Sequence, residues 1–118
     1  MLSRLGKGRI FLSSGATDMR KSFNGLSGLA RSRLAGDPLS GDLFAFCNRL
    51  KNRLKILYFD STGMWVFAKR LERGTFAWPE EQEGRTRIEL RYEELMLLLN
   101  GLEALELRER RRWRRKTC

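Results

Sequence analysis

The sequence predicts an α+β fold: a small antiparallel β-meander of three to five strands packed with an N-terminal amphipathic helix and a C-terminal helix. Three patterns carry that reading. Leu43-Phe44-Ala45-Phe46-Cys47 is an unbroken apolar run of strand length, followed at short intervals by two more strand-like segments. After Thr17 and again from about Tyr92, apolar residues recur every three or four positions, the period of one helix face. The length of 118 residues fits one domain, and a hydrophobic fraction of 42% suffices for a packed core.

Taken in order, Arg9 to Ser13 reads as a short strand ended by Ser14-Gly15. Thr17-Asp18 reads as a helix start, Thr17 as the cap and Asp18 against the positive end of the dipole. Met19, Phe23, Leu26, Ala30 and Leu34 then mark one helical face, with Gly25 and Gly28 inside it allowing close packing, until Gly36-Asp37-Pro38 ends the helix. Leu43 to Cys47 is the next strand, Asn48 to Arg53 a basic connection, and Leu54 to Phe59 a strand with Leu54, Ile56 and Tyr58 on one face. Asp60-Ser61-Thr62-Gly63 is a turn, its glycine suited to a left-handed backbone position. Met64 to Leu71 and Thr75 to Trp78 are two further strands, the second stopped by Pro79. Short connections favour antiparallel pairing, since parallel pairs need long crossovers. Leu95, Leu98, Leu102 and Leu105 form the stripe of the last helix. We expect a globular domain over residues 1–102 and an Arg-rich tail or helix extension over 103–118.

Charge is the most unusual total: 24 Lys and Arg against 14 Asp and Glu, a net of +10. Such an excess speaks of partners rather than fold, and it favours a polyanion, because neutralised phosphates release condensed counterions. The excess is uneven. Residues 1–79 carry a net of +9, residues 80–102 a net of −3, and residues 103–118 a net of +4. Two cysteines, Cys47 and Cys118, give neither a disulfide framework nor metal-ligand spacing, which suits a reducing cytoplasm. No signal-peptide pattern and no membrane-length apolar stretch is visible, so no membrane partner is expected.

Two stretches together resemble a known family. One is Thr17-Asp18-Met19-Arg20-Lys21-Ser22-Phe23-Asn24-Gly25-Leu26. The other runs from Asp37-Pro38-Leu39-Ser40-Gly41 through Leu54-Lys55-Ile56-Leu57-Tyr58-Phe59-Asp60 and Gly63 to Phe67-Ala68-Lys69-Arg70-Leu71-Glu72-Arg73-Gly74 and Phe76-Ala77-Trp78-Pro79. They resemble the second-reading-frame accessory proteins, called TnpB or Orf2-like, of insertion-sequence-sixty-six transposons. The resemblance covers most of residues 9–101 and leaves the Arg-rich end unmatched. It implies a multi-gene mobile element in which a separate, larger protein performs the cutting and joining, and the small protein is needed for movement.

The residues themselves argue against catalysis. Histidine is absent, which removes every His-based triad, His metal site and His general base. The four aspartates, Asp18, Asp37, Asp42 and Asp60, each suit a helix start or a turn rather than a metal cluster. We therefore expect no enzyme activity, no metal site and no cofactor.

Four basic groups are candidate nucleic-acid contacts. Arg20, Asn24, Ser27 and Arg31 fall on one polar helix stripe, and the family resemblance adds interest in Arg20 and Lys21; the competing reading is a solvated helix face. The odd spacing of Arg49, Lys51, Arg53 and Lys55 puts them on one face of an extended strand, and Lys69, Arg70 and Arg73 lie near the end of the next hairpin. They read either as a phosphate-gripping surface or as protection of a sheet edge. The tail contributes Arg111, Arg112, Arg114 and Arg115, with Trp113 among them. Most aromatics of the central block are core candidates, Trp65 and Tyr58 being the exceptions that stacking on bases would use. The leading expectation is a DNA-binding accessory protein acting at transposon ends with the element's other proteins. The alternatives are an adaptor docking on the transposase through the leucine stripe, and an RNA binder.

Overall fold

A computed structural model describes residues 8–81 and 83–101. They form a five-stranded mixed sheet and two helices, an α+β arrangement: β1 (Ile10–Ser13), α1 (Phe23–Ser32), β2 (Leu43–Cys47), β3 (Arg53–Phe59), β4 (Met64–Arg70), β5 (Arg87–Leu90) and α2 (Tyr92–Asn100). The strand order is β4-β3-β2-β1-β5.

β2 sits at the centre, which explains its unbroken apolar run. All five of its residues are buried because both faces of the sheet are covered. Alternation then sorts the side chains. Phe11, Phe44, Phe46 and Leu57 point to one face, where they are covered by Leu26 and Ala30 of α1 and by Leu34 just after it. Leu12, Ala45, Leu54 and Ile56 point to the other, where Phe76, Trp78, Leu95 and Leu98 complete the packing. Each fully buried Leu or Phe contributes about 1.5–3 kcal/mol.

The pairing is not a meander. β2, β3 and β4 pair antiparallel in succession, but β1 lies parallel to β2, Ile10 opposite Leu43, and antiparallel to β5, Ile10 opposite Leu90. The long connection carrying α1 is what permits the parallel pair. Thr75 to Trp78 is not a strand. It keeps alternation, with Phe76 and Trp78 buried, but lies across the sheet: the Phe76 N–H donates to the Lys51 carbonyl and the Trp78 indole to the Ser13 carbonyl. The edge place beside β1 goes to β5, whose Ile88 and Leu90 alternate with Arg87 and Glu89.

The helix expected from Thr17 is not seen there. The Thr17 N–H donates to the Cys47 carbonyl at 2.7 Å, which holds the residue in extended contact with the end of β2. Asp18 closes a turn instead, accepting the Arg20 N–H at 2.9 Å. α1 begins only at Phe23 and buries Leu26, Ser27 and Ala30. Ser27 is therefore inside, its hydroxyl donating to the Phe23 carbonyl, and Phe23 is 47% exposed. The polar stripe expected through Arg20, Asn24, Ser27 and Arg31 does not exist. Gly28 touches nothing that a methyl group would meet, so it permits no close packing. In the turn after β3 the left-handed residue is Ser61, at φ 82°, not Gly63.

α2 is opened by Glu94, whose carboxylate accepts the Arg91 N–H at 2.9 Å. That bond holds the Glu94 carboxyl below its ordinary pKa. Leu95 and Leu98 face the core. Leu102 and Leu105, the other half of the stripe, lie outside the described residues.

Candidate nucleic-acid interface

The β3–β4 hairpin is closed by Asp60. Its carboxylate accepts the Trp65 indole N–H at 2.7 Å and the backbone N–H groups of Thr62 and Gly63, each at 2.9 Å. These donors, the indole first, drive its pKa well below the ordinary carboxylate range. The turn fixes the register, and the register sets Arg53 directly opposite Arg70, with Lys55 opposite Ala68. All three cations belong to the α1 side of the sheet but lie beyond the reach of α1.

There they line a shallow groove of about 500 Å³ together with Met19 and Glu72. Like charges directly opposite each other on adjacent strands are unfavourable, and only part of that repulsion is relieved, by Glu72 at 3.1 Å from the Arg70 guanidinium. An anion between the two guanidiniums would relieve the rest. Lys55 donates to the Lys21 carbonyl at 2.8 Å, which pins the segment before α1 to the groove and sets Lys21, itself exposed, on its rim.

The remaining sequence candidates are dispersed. Of Arg49, Lys51, Arg53 and Lys55 only Arg53 and Lys55 share a strand face, because β3 starts only at Arg53. Arg49 is exposed in the preceding turn. Lys51 takes a left-handed position there, at φ 58°, and its ammonium pairs with Glu80. Arg20 is clamped by the Asp18 carboxylate at 2.8 Å, which lowers the Asp18 pKa to about 2. Lys69 borders the groove, but its ammonium donates to the Leu99 carbonyl at 2.7 Å, closing the end of α2. Arg73 is exposed in the turn after β4, and Arg31 is exposed on α1. Arg111, Arg112, Arg114 and Arg115 lie outside the described residues.

Two features escaped the sequence reading. Met19 is a groove residue, not a helix-face one. Arg9 and Arg87 both lie about 5 Å from the centre of the Phe11 ring, so these cations serve packing. The opposed Arg53–Arg70 pair was within reach of the sequence, since the two residues are equidistant from the Asp60–Gly63 turn.

Elsewhere the titratable groups are structural. Asp42 accepts the Arg9 N–H at 2.7 Å, and Asp37 accepts that of Leu39 at 2.9 Å. Burial pushes the Cys47 thiol up to about 12, a poor nucleophile. Among the described residues no three His, Cys, Asp or Glu side chains come together to hold a metal, and no helix is long and apolar enough to cross a membrane.

The model of the IS66 Orf2-like protein family matches residues 8–109. The chain belongs to that family. Two curated relatives, the uncharacterised proteins y4hO and y4jC of Sinorhizobium fredii, are each 37% identical over 95 residues. The match spans 80% of this chain, 81% of y4hO and 80% of y4jC. No solved structure matches. Membership in the IS66 Orf2-like family suggests an accessory role in transposition beside the element's other proteins. The whole β1-to-α2 unit, groove included, falls inside the matched span, as does only the start of the Arg-rich end.

Proposed function

We propose that this IS66 Orf2-like protein is a non-catalytic DNA-binding component of the transposition complex, acting in the bacterial cytoplasm. It grips phosphates in the groove formed by Arg53, Lys55 and Arg70, with Lys21 on the rim. The observation that carries this reading is the opposed Arg53–Arg70 pair, in a groove whose lining includes no residue of α1 or α2. Arginine forks suit phosphate oxygens, and phosphate contacts position a protein without reading sequence. Residues 103–118, with their net of +4, extend the same affinity from the end of a single domain.

The test is a salt series. Arg53→Ala with Arg70→Ala should weaken binding to transposon-end and random duplexes alike. The slope of log K against log salt should become shallower by about 2, one unit per lost phosphate contact. Unchanged affinity and slope would remove the groove from the interface.

A second reading, the adaptor, has its own observation. Leu12, Ala77, Pro79, Ile88, Leu90 and Leu98 line an apolar groove beside α2, where Leu97 is 46% exposed. If Leu97→Asp abolishes co-purification with the transposase while DNA affinity stays intact, this face is where the transposase docks.

A further inference from the structure

The second face of the β3–β4 hairpin carries a feature that phosphate contact does not use. Tyr58 and Trp65 are direct cross-strand partners, and Phe67 follows Trp65 on the same face. Trp65 is 51% exposed, whereas Phe11, Phe44, Phe46 and Phe76 are all fully buried. Its polar edge is already satisfied by Asp60, and Asp60 is itself held by the turn, so the indole is locked in orientation while about half of its surface stays exposed. The Trp65 and Phe67 rings are nearly parallel, 5° apart in plane and 5.9 Å between centres. Two parallel rings on alternate strand residues, one of them half exposed, give flat groups a surface of matching orientation.

The surrounding charge selects what is laid there. Residues 53–70 hold four cations, Arg53, Lys55, Lys69 and Arg70, and a single acid, Asp60, already engaged by its donors. A ligand suited to this hairpin must combine flat apolar faces with repeated negative charge. Single-stranded nucleic acid does so, and a duplex hides those faces in its own stack. Because β4 is an edge strand, one polynucleotide crossing that edge reaches both faces.

We infer that Trp65, backed by the half-buried Phe67 and Tyr58 that pack against the core, is a base-stacking platform for single-stranded nucleic acid. The inference rests on the phosphate reading only for the cations that bring the strand in; the rings contribute independently of it.

The experiment titrates full-length protein with an oligothymidylate or oligouridylate of about 15 nucleotides, a length that covers one small binding domain. A mixed-sequence duplex is the reference. Trp65→Ala should cost roughly tenfold in single-strand affinity and less than about twofold on the duplex, while Trp65→Phe retains most of the binding. In a Trp113→Phe background, the oligonucleotide should also quench the exposed Trp65 and spare the buried Trp78. A loss on either sugar supports the platform and names its source.

Unchanged single-strand affinity in Trp65→Ala would overturn the inference, and so would an equal loss on the duplex. So would a defect confined to binding the transposase, which would make the face a protein contact. The two readings separate cleanly. If Arg53→Ala with Arg70→Ala is silent and Trp65→Ala is not, the groove falls and the platform stands; the reverse pattern sinks the platform alone.

Discussion

The two edges of the sheet are chemically opposite. The β4 edge presents Arg70 with Arg53 and Lys55 beside it, whereas the β5 edge leads through Glu89 into Glu93 and Glu94 at the start of α2. Residues 80–94 hold six glutamates against three arginines. Four strand spacings separate the edges, about 19 Å, which is more than two Debye lengths of roughly 8 Å at physiological salt. A polyanion at one edge therefore scarcely feels the other. The net charge of +10 is not a uniform coat, since the described residues carry fifteen basic and eleven acidic side chains, a net of only +4. On the proposed reading, orientation rather than total charge decides what this molecule attracts, with the β4 edge as the side offered to a phosphate backbone.

The largest expected effect breaks that contrast directly. Arg53→Glu with Arg70→Glu should reduce DNA affinity by about a hundredfold or more, since each charge-assisted contact is worth about 1.5–3 kcal/mol. Glu89→Gln with Glu93→Gln, made at the other edge, should change it by less than about twofold. If only total charge matters, fluorescence anisotropy should instead show the glutamate pair raising affinity by about half as many log units as the arginine pair lowers it, since the first changes the charge by about +2 and the second by about −4.

Lys69 sharpens the comparison, because it belongs to the basic edge by sequence but to α2 by contact. Lys69→Ala removes the donor to the Leu99 carbonyl and should lower Tm by about 5 °C, equivalent to roughly 1 kcal/mol. Its DNA affinity should stay within about twofold of the parent. A large loss of affinity at unchanged Tm would place Lys69 in the interface after all.

Both edges are also pinned by carboxylates whose pKa values lie low, Asp60 at the β3–β4 turn and Glu94 at the start of α2. The sign follows from the direction. A carboxylate that binds its proton less readily when folded adds stability above its unfolded pKa, near 4, and that contribution fades as pH falls toward the folded value. The Trp65 indole N–H resonance should thus stay put from pH 7 down to about 4 and move only in stronger acid. Movement centred near pH 4 would mean that Asp60 does not hold the ring.

How much of this was legible beforehand varied with the physics of each segment. β2 could be read because burial on both faces leaves a run with no polar interruption. The β3–β4 turn could be read because Asp60-Ser61-Thr62-Gly63 is strong local chemistry. β5 is four residues long, and its alternation of Ile88 and Leu90 with charged neighbours is too brief to stand out among glutamates. Thr75 to Trp78 misled for the converse reason: alternation reports one buried face, not a hydrogen-bonded neighbour. Thr17 misled because its capping chemistry is local, while its real partner, the Cys47 carbonyl, is thirty residues away. The candidate cations could be counted in the sequence, but their division between groove, helix cap and ion pair depends on strand register.

The smallest effect tests that division without touching either edge. Gly28 lies in the interior of α1, exposed, with nothing within 4 Å of where a Cβ would stand. Gly28→Ala should therefore raise stability by about 0.5–1 kcal/mol, since alanine restricts the unfolded chain and suits a helix better. Gly36 is the opposite case in the same connection, because a Cβ there would come within 2.5 Å of the Phe44 ring. If the β4 edge is the interface, Gly28→Ala should leave DNA affinity and salt slope untouched as Tm rises. A parallel gain in affinity would instead show that binding is coupled to ordering of α1, through the Lys21 segment that Lys55 holds against the groove.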